Sequence, residues 1–348
     1  MLTTGRVACW GDGDSGQLGN GAARDAARPV LVTGIGDALR VSVGGGLSCA
    51  LRRGGRVSCW GSGRYSRLGR WPKQHATVPE PIAGLSSVVQ VVVGLHHACA
   101  LRDDGVVLCW GGSQGGECGV EPSWSGFGAS VFPPVAVAGL RDVVEIAGEG
   151  SSHTCARRRD GRVLCWGRGA RGELGNGALA NSHRPVEVTG INDAVEVASD
   201  GVSCVRTRAG RVLCWGESPF GALGPGCPRG RCATPVAVAG LGPVTQLAVG
   251  SEFACGRLAG GYVTCWGRGY LGQLGDGQTI DRPAPAFTRG PSDVVEAEAG
   301  VAHACALRDD GSVWCWGSVA NGRLGNGAVG PGTFSAEPVR VEGLPGVP

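Results

Sequence analysis

An all-β repeat architecture is what this 348-residue sequence predicts, on three observations. A Cys-Trp-Gly triplet recurs at Trp10, Trp60, Trp110, Trp166, Trp215, Trp266 and Trp316, at intervals of 50, 50, 56, 49, 51 and 50 residues, which is the self-similarity of a repeat protein. Between the triplets lie proline-led segments such as PVAVAGL (134–140) and valine-rich alternations such as VVQVVVG (88–94), both strand signals. No window free of internal glycine or proline carries a 3.6-residue period, so helix is expected to be minimal.

Composition excludes several classes. The 65 glycines follow no three-residue period, which removes collagen. Thirty-two basic and 29 acidic residues are dispersed along the chain for a net charge of +3. No like-charge block suits a phosphate backbone or an anionic surface, so no nucleic acid partner is implied. Glycine or charge interrupts every apolar run before the ~18 residues of a membrane helix, so no membrane span is expected. The chain reads as a monomer.

Within the repeat, a glycine follows each tryptophan by six residues, with Ser66 the exception. Leu18, Leu68, Cys118, Leu174, Leu223, Leu274 or Leu324 comes two residues later, and always a glycine next. The first copy, CWGDGDSGQLGNG (9–21), also spells the G-x-G-x-x-G of a pyrophosphate loop in Gly11, Gly13 and Gly16, and offers Asp12, Asp14 and Asn20 as calcium ligands. Neither reading survives comparison with the other copies. At the offset of Asp12 they carry Ser62, Gly112, Arg168, Glu217, Arg268 and Ser318, and a proline-led strand follows where a phosphate-binding helix should open. The stretch reads as a glycine turn that redirects the chain between strands, and no cofactor or metal is implied.

Six cysteine pairs lie ten residues apart: Cys49 with Cys59, Cys99 with Cys109, Cys155 with Cys165, Cys204 with Cys214, Cys255 with Cys265, and Cys305 with Cys315. Each pair holds a glycine four residues before its second member. In CALRDDGVVLC, Asp103, Asp104 and Gly105 suit a three-residue hairpin loop with a left-handed glycine. Counting outward, Leu101 faces Val107, Ala100 faces Leu108, and Cys99 faces Cys109. Opposed residues of a non-hydrogen-bonded pair lie roughly 4.5 Å apart at Cα, within disulfide reach. Buried reduced thiols are the competing reading, and zinc, which wants convergent close-spaced knuckles, is the weakest. Disulfides imply an oxidising compartment: extracellular, cell-surface or periplasmic. Cys227 and Cys232 can close a local bridge, Cys118 takes a leucine position, and Cys9 has no partner.

Cys9 lacks a partner because the chain starts partway through a hairpin, with Met1 aligned to Leu51 and Leu101. PVRVEGLPGVP at the other end supplies a proline-led strand. The expectation is therefore six whole repeats and a seventh split between the termini, lacking its valine-rich strand and the cysteine that follows, as in an N-terminally truncated chain.

The repeated pattern, seen best as GLHHACALRDDGVVLCWG (94–111) and GVAHACALRDDGSVWCWG (300–317), resembles the regulator of chromosome condensation repeat. The resemblance covers essentially the whole chain. It implies a single domain over residues 1–348, a seven-bladed β-propeller of four-stranded blades, with one blade incomplete and shared between the termini. The family's eukaryotic founder is a nucleotide exchange factor for a small GTPase that docks on chromatin through a basic tail. With one lysine, Lys73, no such tail and a paired-cysteine pattern, this chain looks closer to secreted bacterial relatives, which include an inhibitor that binds its enzyme with one propeller face.

Catalytic constellations are absent from the pattern. His97, His153 and His303 share an offset with Leu47, Val202 and Phe253, a packing position. The acidic residues do not recur at one repeat offset, which weakens a polysaccharide-cleaving enzyme built on the central channel. What remains is loop surface. Trp71 and Lys73, then Trp124, Phe127 and Phe132, then Arg229 and Arg231 offer aromatic and arginine anchors for a protein partner on one propeller face. The expected function is a non-catalytic, secreted or surface protein-binding scaffold. The alternatives are a cytoplasmic GTPase regulator and the polysaccharide enzyme.

Overall fold

The computed structural model describes residues 1–70, 75–121, 129–227, 229–330 and 332–344. Six four-stranded antiparallel sheets, spanning residues 38–81, 88–136, 143–187, 194–237, 244–287 and 294–340, are the blades of a β-propeller, numbered one to six along the chain. The only helical elements among the described residues are two single turns of 3-10 helix, Arg64–Ser66 and Ala320–Gly322, and no helix is long and apolar enough to cross a membrane. Valine-rich first strands such as Val143–Ala147 and Ala194–Ser199 touch their counterparts in the next blade, so they line the axis and the proline-led fourth strands lie outermost.

The seventh unit departs from expectation. It is a two-stranded sheet of β1 (Ala8–Gly11) and β2 (Ala26–Leu31), built from N-terminal residues alone. It is not shared between the termini. The last proline-led strand, Phe334–Arg340, pairs with Val313–Ser318 and completes blade six, because a fourth strand pairs with the third strand that its own loop leaves. β1 already holds β2 on that edge, with Ala8 opposite Leu31.

The hairpin register agrees with the spacing argument at each position. Leu101 faces Val107, Ala100 faces Leu108 and Cys99 faces Cys109, with Gly105 at φ 82°. The six cysteine pairs are disulfides with Cα separations of 4.0 to 4.1 Å, and Cys227–Cys232 forms a seventh at 6.1 Å. Cys9 and Cys118 are free. Closing a loop of about ten residues is worth roughly 2–3 kcal/mol in the chain-entropy model, a staple for each complete blade.

The Cys-Trp-Gly triplet joins the blades. Its glycine, at φ 101° to 111° in all seven copies, makes the bulge at which the pairing of third and fourth strands shifts, as between Cys165 and Gly167. The bulge turns the indole toward the preceding unit. There Nε1 donates to the carbonyl of the residue just before the conserved Leu-Gly: Trp60 to Gln17, Trp110 to Arg67, Trp166 to Glu117, Trp215 to Glu173, Trp266 to Ala222, Trp316 to Gln273 and Trp10 to Arg323, all at 2.7 to 3.0 Å. These bonds run round the whole ring, through β1 and β2. The glycine of Leu-Gly must lack a side chain because the indole of the next unit lies against it: a Cβ on Gly175, already at φ 66°, would sit 2.7 Å from Trp215 Nε1. Gly175→Ala is accordingly expected to cost about 2 kcal/mol of stability, read as a lower midpoint of chemical denaturation.

Candidate interaction face

In each blade the connection from first to second strand and that from third to fourth emerge at the same end, so one face of the propeller carries both sets. The connections across blades three to five bring together a mixed aromatic and charged surface. Arg268, at the end of its third strand, lies over the Phe220 ring of the preceding blade at 4.6 Å and over the Tyr270 ring at 4.3 Å, within cation–π range. Its guanidinium also pairs with Glu252 from the hairpin of the same blade. Beside this, Glu217 accepts from Arg231 Nε at 2.9 Å and lies 3.3 Å from Arg171 of blade three. Tyr270 is 46% exposed. A second aromatic contact, Tyr65 with His96 at 4.8 Å, lies on the same face at blades one and two.

Of the anchors expected from sequence, Arg231 is the one that joins this cluster. Arg229 is exposed in the Cys227–Cys232 loop, and Phe132 is partly exposed at the start of its outer strand. Trp71, Lys73, Trp124 and Phe127 lie outside the described residues. Sequence reading missed Phe220, Arg268 and Tyr270 because they sit two to five residues after their tryptophans, where the copies differ freely. The signal that could have found them was an arginine and two aromatics at neighbouring offsets in consecutive copies.

The histidines pack, and two do more. His97 Nε2 lies 2.6 Å from Thr154 Oγ1 of the next blade, and His153 Nε2 2.6 Å from Ser203 Oγ. Burial holds His97 down to about 3 and His153 down to about 4, so both rings are neutral bridges between blades. Burial likewise pushes the Cys118 thiol far up, which makes it inert.

Carboxylates do recur at one offset, contrary to the sequence reading. Glu145, Glu196 and Glu296 share the third position of the inner strand with Arg40, Gln90 and Gln246. They form a belt: Gln90 donates to the Ile146 carbonyl and accepts from its N–H, Gln246 does the same with Ala297, and Glu196 accepts from Leu247 N–H. Near the belt stand Glu149, Asp200 and Glu298. Burial, then the Glu149 charge, pushes Asp200 up to about 7, whereas Glu298 is exposed to solvent.

The exposed carboxylates of Asp12, Asp14 and Asp25 converge within 4.8 Å. Asp25 accepts from Gly13 N–H as Asn181 and Asp281 do from Gly169 and Gly269, and Asn20 turns back onto Ala22 N–H. These groups fix turns.

Residues 6–347 match the family model described as the RCC1-like domain. The chain belongs to that family. Among solved structures it is similar to human WBSCR16 (TM-score 0.89, 22% identity, 99% of this chain and 96% of that one). It is also similar to Prp20p of Saccharomyces cerevisiae, described with its binding to Gsp1p and histones (TM-score 0.84, 21% identity, 99% of this chain and 87% of that one). A further structure shows yeast RCC1 (Prp20) bound to Kap60 (TM-score 0.83, 21% identity, 97% and 83% covered). At this identity the likeness concerns the fold.

Asp200 gives a pH dependence with a definite sign. Its folded pKa lies above the ~3.9 of an unfolded aspartate, so the native state holds more protons between the two values and stability falls as pH rises from about 4 to about 7. Asp200→Asn is expected to flatten that slope, raising Tm more at pH 8.5 than at pH 5.

Proposed function

We propose that this RCC1-like propeller is a non-catalytic binding module of an oxidising compartment, extracellular or at the cell surface, which holds a protein partner on the face built by blades three to five. The observation that carries the reading is the set of seven disulfides. A reducing cytosol would break them, and what they make rigid is a scaffold under loops that differ from blade to blade. Phe220, Arg268, Tyr270 and Arg231 supply the aromatic and arginine chemistry that anchors interfaces, with Arg229 of the same blade as Arg231, Phe132 of blade two, and Trp71, Lys73, Trp124 and Phe127 as further anchors. The working unit is a monomer of one domain.

Two measurements test this. Alkylation of the protein unfolded in denaturant under non-reducing conditions, followed by intact mass, is expected to label two of its 16 cysteines, Cys9 and Cys118. Labelling of all 16 would remove the oxidising compartment and favour a cytoplasmic regulator. A photo-crosslinking residue at Tyr270 is expected to capture a protein adduct on cells of the native host, while one at Tyr262, exposed at the opposite end of the blade, captures none. The reverse pattern would place the partner on the other face.

A further inference from the structure

The connection from third to fourth strand is fastened in one way in four units and in another way in blade four. After the conserved Leu-Gly, Asn20, Asn176, Asp276 and Asn326 each accept from the N–H two residues on, at 3.1 Å, an Asx turn that holds the bend. The glycine that follows donates across the blade boundary at 2.9 Å: Gly21 to Thr77 O, Gly177 to Ala233 O, Gly277 to Ala336 O and Gly327 to Ala27 O. Blade four reads Leu-Gly-Pro-Gly (223–226). Pro225 has no side-chain acceptor, and Gly226 N–H has no hydrogen bond among the described residues. The loop keeps local bonds, from Cys227 N–H to Gly224 O, from Gly230 N–H to Cys227 O and from Ser218 N–H to Gly230 O. Its covalent tie is the Cys227–Cys232 bridge, which fastens it to the start of its own fourth strand, Arg231–Ala237.

This bridge also differs from the hairpin bridges in its surroundings. In blades one to five both hairpin cysteines are exposed by 1% or less, between strands already joined by a full ladder. Cys227 is buried but Cys232 is partly exposed, so a reagent can approach from the Cys232 side. Arg229 and Arg231, both exposed, flank the bridge, and positive charge beside a sulfur favours the thiolate that leaves when the bond breaks. Arg231 also holds Glu217, whose other oxygen lies 3.3 Å from Arg171 of blade three. The loop that the bridge fixes therefore carries one end of a contact between blades three and four.

We propose that Cys227–Cys232 is a site of reversible thiol–disulfide exchange with a dithiol reductant, and that its reduction frees the blade-four loop and loosens the contact of Arg231 with Glu217. A thiolate of the reductant attacks the Cys232 sulfur, the Cys227 sulfur leaves with the bonding pair and takes up a proton, and a mixed disulfide remains. The reductant's second thiolate then attacks its own partner sulfur in that bond. Cys232 leaves as a thiolate and is protonated, and the reductant ends as a disulfide, so that two electrons and two protons have passed to the bridge. The buried hairpin bridges are out of reach of the same reagent, so the blades keep their shape while the loop is released. The redox poise of the surroundings thereby sets whether Arg229 and Arg231 are held in place. That this matters to a partner rests on the function proposed above; the exchange itself does not.

The test uses the folded protein by itself. Graded dithiothreitol, quenched with N-ethylmaleimide and mapped by peptide mass, is expected to open Cys227–Cys232 at a concentration about tenfold or more below that which opens any hairpin bridge of blades one to five. Amide hydrogen exchange of residues 226–232 is expected to rise about tenfold or more in the protein so reduced, with the hairpin strands unchanged. A double variant, Cys227→Ser with Cys232→Ser, which needs no reductant, is expected to show the same fast exchange. Opening of a buried hairpin bridge first would overturn the inference, and so would loop exchange that is unchanged in both the reduced protein and the double variant. No partner enters these measurements, so absence of an adduct at Tyr270 would overturn the interaction face alone.

Discussion

Each tryptophan of the repeat donates its indole N–H to a carbonyl in the unit before it, and the rest of the structure is arranged around that bond. The bond requires a bulge to aim the ring, hence the glycine after the tryptophan at positive φ. It requires space over the indole, hence the glycine of Leu-Gly. The carbonyl must be held still, and the side chain of the same residue does this. Gln17, Glu117, Glu173 and Gln273 each accept from the backbone N–H two residues earlier. Five of the seven indoles are completely buried. A buried N–H left without its acceptor costs about 1–3 kcal/mol, so the bonds penalise any blade that slips out of register.

The disulfides act on a different scale. Six of the seven each staple one hairpin inside one blade and Cys227–Cys232 closes a loop, leaving contacts between blades to the indoles, the histidine–hydroxyl pairs and the Gln/Glu belt. Such a scaffold suits a surface for a partner: the blades hold their shape while the connections at one end vary in sequence. The buried Asp200 is tolerated because it is pushed toward its neutral form, where it asks for no counter-ion.

Period, strand type and hairpin register were legible because each repeats at a fixed offset. One glycine four residues before a cysteine is enough to place Cys99 opposite Cys109. The contacts between blades were less legible. His97 reads as a packing position beside Leu47 and Val202, and its partner Thr154 lies in the next copy at a different offset. The belt was hidden because glutamine, glutamate and arginine share its position, so a search for acids alone finds no period. The seventh unit was misread because the terminal proline-led strand looked free for ring closure, whereas pairing with its own third strand had already committed it to blade six. Phe220 and Arg268 meet only across a blade boundary, which no spacing within one copy encodes.

The indole bond can be tested directly by following hydrogen exchange of the tryptophan side-chain N–H groups in a 1H–15N spectrum of the intact protein. Slow exchange is predicted for Trp60, Trp110, Trp166, Trp215, Trp266 and Trp316, with the half-buried Trp10 next in order and faster than these six. If those six protons exchanged as fast as a free indole, the bonds would not hold neighbouring blades in register, and some other contact would have to close the ring.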